Sequence, residues 1–365
     1  MSVRITKKNI RRGVQIFTLI SLLSLTAIFF LTRSGSITEA FRMFKPEIFI
    51  FVPFLILFDW FGGGFRLYVF SKVLHPRISF KSCVRANLAN YFMSSITPAQ
   101  TGGGPAQIYI LYANGMPAVE ATSASLMTFL STVFFLIIMA MVTFMLKGKA
   151  PLPGSLLPKL FNYGIFLFLL IGILFLLALF FPNFYKEAVT RIVRLISRIK
   201  KKNYISGTQW VNDMIEGVDR THKYLLFFLK ERLWVFLLGV LISAFLFFSK
   251  FLMAYVIVRG LGIEVSVVHV VLLQVVIILI NYFFPSPGGS GATEFSSAAL
   301  MAPVVPQTLL MYYVILWRIF TSYIAIGVGG FVIIHEMGKK EKLEIKNGLT
   351  SNGAAKEDIL LEMDE

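Results

Sequence analysis

Apolar residues in this chain run in long, nearly unbroken stretches instead of alternating with polar ones. Six stretches approach or exceed the roughly 20 residues that an α-helix needs to cross the hydrocarbon core of a bilayer. They are Val14–Leu31, Ile48–Val69, Thr122–Leu146, Phe161–Phe181, Leu233–Val258 and Leu309–Ile334. The pattern predicts an all-α integral membrane protein, a helical bundle with about six full spans.

Two further apolar regions are broken by glycine and proline. One reads NYFMSSITPAQTGGG from Asn90, and the other reads NYFFPSPGGSG from Asn281. Proline removes a backbone donor and glycine permits positive φ, so each cluster stops a helix, and the freed backbone cannot face lipid. Such a pair is typical of inverted-repeat transporters with a site near the membrane midplane. We therefore predict two opposed re-entrant hairpins in an inverted repeat, although Val267–Phe284 is also long enough for a straight crossing.

Positive charge gathers in a few connections between these stretches. Most of the 35 Lys and Arg residues lie in residues 1–12, 72–85 and 182–232 or follow residue 335. Cytoplasmic loops are enriched in such residues, so we expect both termini in the cytoplasm. The net charge of +16 is then a topology signal with attraction to anionic lipid headgroups on the cytoplasmic face, and no nucleic-acid partner is expected.

The same pattern divides the chain into segments. Residues 1–338 form a polytopic transmembrane domain, and a tail without an apolar face, expected to be disordered, follows. The proposed segments are a first half 14–181, an amphipathic cytoplasmic linker 182–232, a second half 233–335 and the cytoplasmic tail 339–365.

Composition excludes several classes of function. Hydrophobic residues make up 56% of the chain and the mean hydropathy is +0.75, values that a soluble domain does not reach. Only one cysteine, Cys83, and four scattered histidines occur, so we expect no disulfide, metal or cofactor. Neither a nucleotide-binding GK[ST] loop nor a Ser-His-Asp set is evident, and we expect a protein that is not an enzyme.

Ionisable residues inside apolar stretches are costly and mark either a functional site or an internal pair. Glu294 begins a short helix and either caps it or pairs with Arg318 or a cationic headgroup. Arg318 lies too deep in its span to snorkel. Asp59 is a site candidate. We interpret Arg66 as snorkelling to cytoplasmic headgroups or holding phosphate. A carboxylate in the bundle could reach Lys250, but the sequence does not specify which one.

The glycine clusters add unpaired N–H groups at the starts of short helices, which suit anions. Together with the charged positions they define the candidate binding site. Its residues are Glu294, Arg318, Asp59, Gly102, Gly103, Gln107, Gly288, Gly289, Asn90 and Asn281.

The segments Thr97–Leu111, Pro285–Glu294 and Leu316–Gly330 resemble the flippase-like transmembrane family that includes the membrane region of lysylphosphatidylglycerol synthases, the bacterial multiple peptide resistance factors. Glu294 and Arg318 match the acidic and basic positions of that family, whereas the first signature lacks its charged residues here. The resemblance implies a flippase module for an aminoacyl-phospholipid or a related lipid, or a protein serving polyprenyl-linked glycolipids. The soluble synthase domain is missing, so we expect no lysyl-lipid synthesis.

Our functional hypothesis is a lipid translocase of the bacterial cell membrane that moves a phospholipid, aminoacyl-phospholipid or polyprenyl-linked headgroup through a midplane cavity between the hairpins. Membrane lipids are then its partners, and a homo-oligomer stays open. The alternatives are an ion-coupled small-solute transporter, a membrane subunit of a glycosyltransferase system and a non-transporting scaffold.

Overall fold

The computed structural model describes residues 7–32, 44–146 and 204–339, together with seven isolated helical positions between 159 and 173. Throughout these residues the backbone forms helices and no strand. The helices are α1 Lys7–Thr32, α2 Phe51–Leu74, α3 Phe80–Ile96, α4 Gly103–Ala113, α5 Ala118–Leu146, α6 Tyr204–Lys230, α7 Leu233–Gly260, α8 Val267–Phe283, α9 Ala292–Met301 and α10 Gln307–Lys339.

Five helices are long and apolar enough to cross a membrane: α1, α2 with its short 3₁₀ lead-in at Pro46–Ile50, α5, α7 and α10. They confirm five of the six predicted spans, because hydropathy summed over some 20 residues is a local property of the sequence. Most of the sixth, Phe161–Phe181, lies outside the described residues. So do the first half of the linker and the tail beyond residue 339.

The two broken regions each form a pair of antiparallel helices. In the first pair, the Ser82 hydroxyl near the start of α3 donates to Asn114 at the end of α4 over 3.1 Å. In the second pair, Gln274 on α8 contacts Met301 at the end of α9. The return helices have 11 and 10 residues, or about 15–17 Å at 1.5 Å per residue, which is roughly half of the bilayer core.

The tips of the two helix pairs touch each other. Pro98 and Pro287 form an isolated antiparallel bridge. A Cβ added to Gly288 would lie only 2.9 Å from the Cα of Ser95 and 3.3 Å from the ring of Phe17 on α1. The two breaks are therefore in direct contact, with the middle of α1 beside them.

Different residues adopt left-handed backbone in the two breaks. The second break uses Gly288 and Gly289, with φ of 57° and 68°, as glycine's freedom predicts. In the first break the left-handed residues are Ala99 and Gln100, with φ of 48° and 57°. Gly103 instead permits close packing, because a Cβ there would overlap the Ser94 hydroxyl.

Contacts at the two ends of the bundle agree with the predicted grouping of loops. At one end, the Lys45 N–H donates to the carbonyl of Gly260 over 2.8 Å. At the other, Arg85 pairs with Glu336 at 3.0 Å, and α6 contacts the start of α5. There burial and the hydrogen bond that its phenol donates to Glu120 raise the pKa of Tyr224. Which end faces the cytoplasm stays a prediction.

Candidate functional site

Glu294 and Arg318 form an ion pair in the interior. Glu294 lies in the first turn of α9, immediately after the second break, and Arg318 lies part-way along α10. The Arg318 Nε is 2.9 Å from the Glu294 Oε1, and the two side chains are 3% and 0% exposed. The other carboxylate oxygen accepts the N–H of Gly291 at 2.7 Å. Glu294 thus both caps α9 and pairs with Arg318, so the two roles that the sequence offered occur together.

The surroundings of this pair bring α1 to the second break. The Ser21 hydroxyl lies 3.4 Å from the Glu294 Oε1. The Arg318 guanidinium stacks over the rings of Phe17 and Tyr323, 5.7 and 5.4 Å from their centroids. Among the described residues its Nη2 has no hydrogen-bond partner. A π-helical turn, which often marks functional sites, follows directly at Ile319–Tyr323.

Asp59 and Lys250 form a second ionic contact. The Lys250 Nζ lies 3.4 Å from the Asp59 Oδ1, and the two side chains are 28% and 10% exposed. The ammonium also lies 5.2 Å from the centroid of the Tyr91 ring, and the Tyr91 phenol interacts with the Asp59 carboxylate. The carboxylate that Lys250 was expected to find is therefore Asp59.

Arg66 points between helices instead of toward headgroups, so the snorkelling interpretation was wrong. Its Nη1 donates to the hydroxyls of Thr132 on α5 and Ser243 on α7, each over 2.7 Å. Electrostatic interactions connect the guanidinium to Tyr91, Tyr282 and Asp59. Arg66 on α2 is thus held between helices by the hydroxyl groups that α5 and α7 supply.

The repeated NYF triplets contribute a tyrosine each to this second cluster. Tyr91 comes from α3, and Tyr282 from α8 interacts electrostatically with Lys250, Arg66 and Asp59. The asparagines of the triplets lie at the breaks, where Asn90 accepts a hydrogen bond from Ser94 at 3.3 Å. The sequence marked the triplets but gave no role to their aromatic members.

The remaining predicted site residues divide between the tips and the packing. Gly102 donates its N–H to Thr97 over 2.8 Å, Gly103 packs on α3, and Gly288 and Gly289 form the second tip. Gln107 accepts a hydrogen bond from Ser125 at 2.7 Å and is 2% exposed. Its amide oxygen is thus engaged with α5. Asn281 lies beside Gly289, and its amide oxygen has no partner within the described part of the chain.

Sequence reasoning missed three contributors, Tyr91, Tyr282 and Ser21, and left Arg66 out of the predicted site although it had marked that residue as an intramembrane charge. An arginine inside an apolar span and a tyrosine repeated in two triplets were signals for Arg66, Tyr91 and Tyr282. Ser21 carried no signal, because serine is common in membrane helices. What the pattern lacked was the partner on another helix. Within the described ranges no group of three or more His, Cys, Asp or Glu residues is arranged to hold a metal ion.

Comparison with known proteins agrees with this architecture. Residues 16–329 match the family described as the lysylphosphatidylglycerol synthase TM region. A UPF0104 membrane protein of Archaeoglobus fulgidus is 24% identical over 337 residues, which cover 90% of this chain and 98% of that relative.

Proposed function

Because this chain belongs to the family of the lysylphosphatidylglycerol synthase transmembrane region, we propose that it is a lipid translocase. It moves the polar headgroup of a phospholipid, aminoacyl-phospholipid or polyprenyl-linked lipid across the bilayer, while the lipid tails stay in the hydrocarbon. In this proposal it acts as a carrier and not as an enzyme, and both termini lie in the cytoplasm.

The contact between the two breaks carries this proposal. Return helices of 11 and 10 residues are too short for a full crossing, so we interpret both helix pairs as re-entrant hairpins that enter from opposite faces. Their tips meet at Pro98 and Pro287. A seam between opposed hairpins is where a polar path through an apolar bundle can open.

Charged clusters on two sides of this seam supply polar partners for a headgroup. Glu294 and Arg318 lie behind the second tip, and Asp59 with Lys250 lies beside the first helix pair. Such buried charges are retained in membrane proteins chiefly where they serve a pathway. Passage without a nucleotide then requires only that the headgroup contacts differ between conformations open to either face.

The first experiment is lipid scrambling in liposomes that contain the purified chain. Fluorescent phospholipids should move between leaflets faster than in empty liposomes, and Glu294→Gln should reduce the rate at least about tenfold, because a lost buried ionic partner is worth 1.4 kcal/mol or more. The matched control is Glu120→Gln, which removes a carboxylate paired with Tyr224 and Arg220 at the end of the bundle. That variant should keep the parental rate.

Two results would contradict the proposal. One is the absence of transfer for anionic, zwitterionic and polyprenyl-phosphate lipids alike. The other is uptake of a small solute by the same liposomes, which would instead assign the seam to an ion-coupled transporter. Activity that survives all replacements of Glu294, Arg318 and Asp59 would also exclude the proposed role of the charges.

A further inference from the structure

The cluster around Arg66 has an arrangement that the ion pair at Glu294 lacks. Asp59 and Arg66 lie seven residues apart on α2, which is two turns along one face. On the neighbouring helix α7, Lys250 and Ser243 are also seven residues apart. Asp59 contacts Lys250 and Arg66 contacts Ser243. The two helices are therefore antiparallel here, and the contacts form two levels about 10 Å apart at 1.5 Å per residue.

Charge does not balance across the two levels. At the level of Asp59, one carboxylate is paired with one ammonium, that of Lys250. At the level of Arg66, the hydrogen-bond partners of the guanidinium are the neutral hydroxyls of Thr132 and Ser243. The cluster thus carries one excess positive charge inside the bundle. A cation at membrane depth is normally compensated by an anion, and Asp59, the carboxylate that the described residues place nearby, is already engaged with Lys250.

A buried, unsatisfied donor remains at the Arg66 level and a partly exposed one at the Lys250 level. The Arg66 Nε has no hydrogen-bond partner among the described residues, and the Lys250 side chain keeps 28% of its surface exposed. The Lys250 ammonium lies 5.2 Å from the centroid of the Tyr91 ring, and Tyr91 and Tyr282, one from each helix pair, interact electrostatically with Arg66. An anion with several oxygens, placed between the levels, would be bound by an arginine fork and an ammonium, the usual partners of phosphate.

The outer face of α2 at these levels is apolar. Phe58, Phe61 and Phe65, which flank Asp59 and Arg66 in sequence, are 40%, 50% and 46% exposed. An anion that reaches the cluster along this face therefore has hydrocarbon-compatible surface beside it. That geometry suits a phosphate attached to lipid tails better than a free ion.

We infer that Arg66 and Lys250, framed by Tyr91 and Tyr282, form a subsite for the phosphate of a lipid headgroup. This inference deepens the proposed function and rests on it for the identity of the ligand as a lipid. Asp59 is then an internal counter-ion, which neutralises Lys250 until a phosphate arrives.

Binding to the full chain in detergent tests the subsite without transport. The probes are dihexanoyl phosphatidylglycerol, dihexanoylglycerol, which lacks the phosphate, and inorganic phosphate, each measured by calorimetry and by the shift in melting temperature. Arg66→Gln should weaken binding of the phospholipid about 10- to 100-fold, since charged hydrogen bonds are lost. The matched control Lys72→Gln removes a cation from the exposed end of the same helix and should bind normally.

The melting temperature without ligand separates a binding role from a structural one. The Arg66 guanidinium donates hydrogen bonds to neutral hydroxyls and shares the Asp59 carboxylate with Lys250, so its charge is incompletely compensated. Arg66→Gln should therefore melt at or above the parental temperature and lose only the shift induced by phospholipid. Lys250→Gln is a second variant on the opposite helix and should weaken the same ligand.

Three results would overturn the subsite. They are unchanged phospholipid binding in Arg66→Gln, an equal loss for dihexanoylglycerol, and inorganic phosphate binding as tightly as the phospholipid, which would assign the cations to a free anion. If the chain binds the probes as expected but transfers no lipid, the translocase proposal is wrong and the subsite is retained. If Arg66→Gln transfers lipid and also binds the phospholipid normally, the subsite is wrong and the translocase proposal is retained.

Discussion

Breaking the Glu294–Arg318 pair should destabilise the folded bundle strongly, and the two single replacements should differ. The pair is short, at 2.9 Å, and its side chains are 3% and 0% exposed. Removing one partner of a buried pair leaves an uncompensated charge, which typically costs about 3–5 kcal/mol. Glu294→Gln keeps an amide oxygen that can still accept the Gly291 N–H, so its cost isolates the loss of charge from the loss of the helix cap.

The cost of Arg318→Met has an upper limit that Glu294→Gln lacks. A carboxylate left alone can take up a proton, which for an ordinary glutamate at pH 7 costs about 3.7 kcal/mol, whereas a guanidinium stays charged. Arg318→Met should therefore regain stability as the pH is lowered toward 5, and Glu294→Gln should not. The double variant, which removes both charges, should lie within about 1 kcal/mol of the parent, because neither charge is then left buried without its partner.

Reversible unfolding in mixed micelles, applied as a double-mutant cycle, measures the coupling between the two residues. Single costs of at least about 3 kcal/mol each and a double variant within about 1 kcal/mol of the parent give an expected coupling of about 5 kcal/mol or more. The control cycle uses Arg85 and Glu336, which are equally close at 3.0 Å but expose 27% and 6% of their side chains at the end of the bundle, and its coupling should be about 1 kcal/mol or less. Equal couplings in the two cycles would refute the claim that burial makes the Glu294 pair important.

Two more predictions address the breaks. Gly103→Ala should destabilise the protein by about 1–3 kcal/mol in the same unfolding assay, because its Cβ would overlap the Ser94 hydroxyl, while Gly104→Ala, whose nearest neighbour is 4.0 Å away, should change little. Cysteines at Pro98 and Pro287 should form a disulfide under oxidation, visible as a mobility shift after cleavage between them, since these positions form an antiparallel bridge; no cross-link at any oxidant concentration would place the tips apart. The same cross-link should stop lipid transfer in liposomes, and reduction should restore it.

The sequence predicted the spans well because hydropathy over some 20 residues depends only on neighbours along the chain. For the same reason it located both breaks and the charged residues within spans. Its assignment of positive φ to the glycines held for Gly288 and Gly289 but not for the first break, where Ala99 and Gln100 adopt it. The conformation of that turn is determined by packing against the other tip and against α3.

Partnerships between charges were decided by the tertiary structure. Asp59 and Lys250 are 191 residues apart, and Arg66 finds hydroxyls on α5 and α7. An isolated helix can place a charge on a face, but it does not specify which helix covers that face. Snorkelling was a sound expectation for one helix in lipid, and only the packed bundle brings Thr132 and Ser243 within reach of Arg66. Local physics thus determined which residues are unusual, and the assembly of the helices determined what each of them contacts.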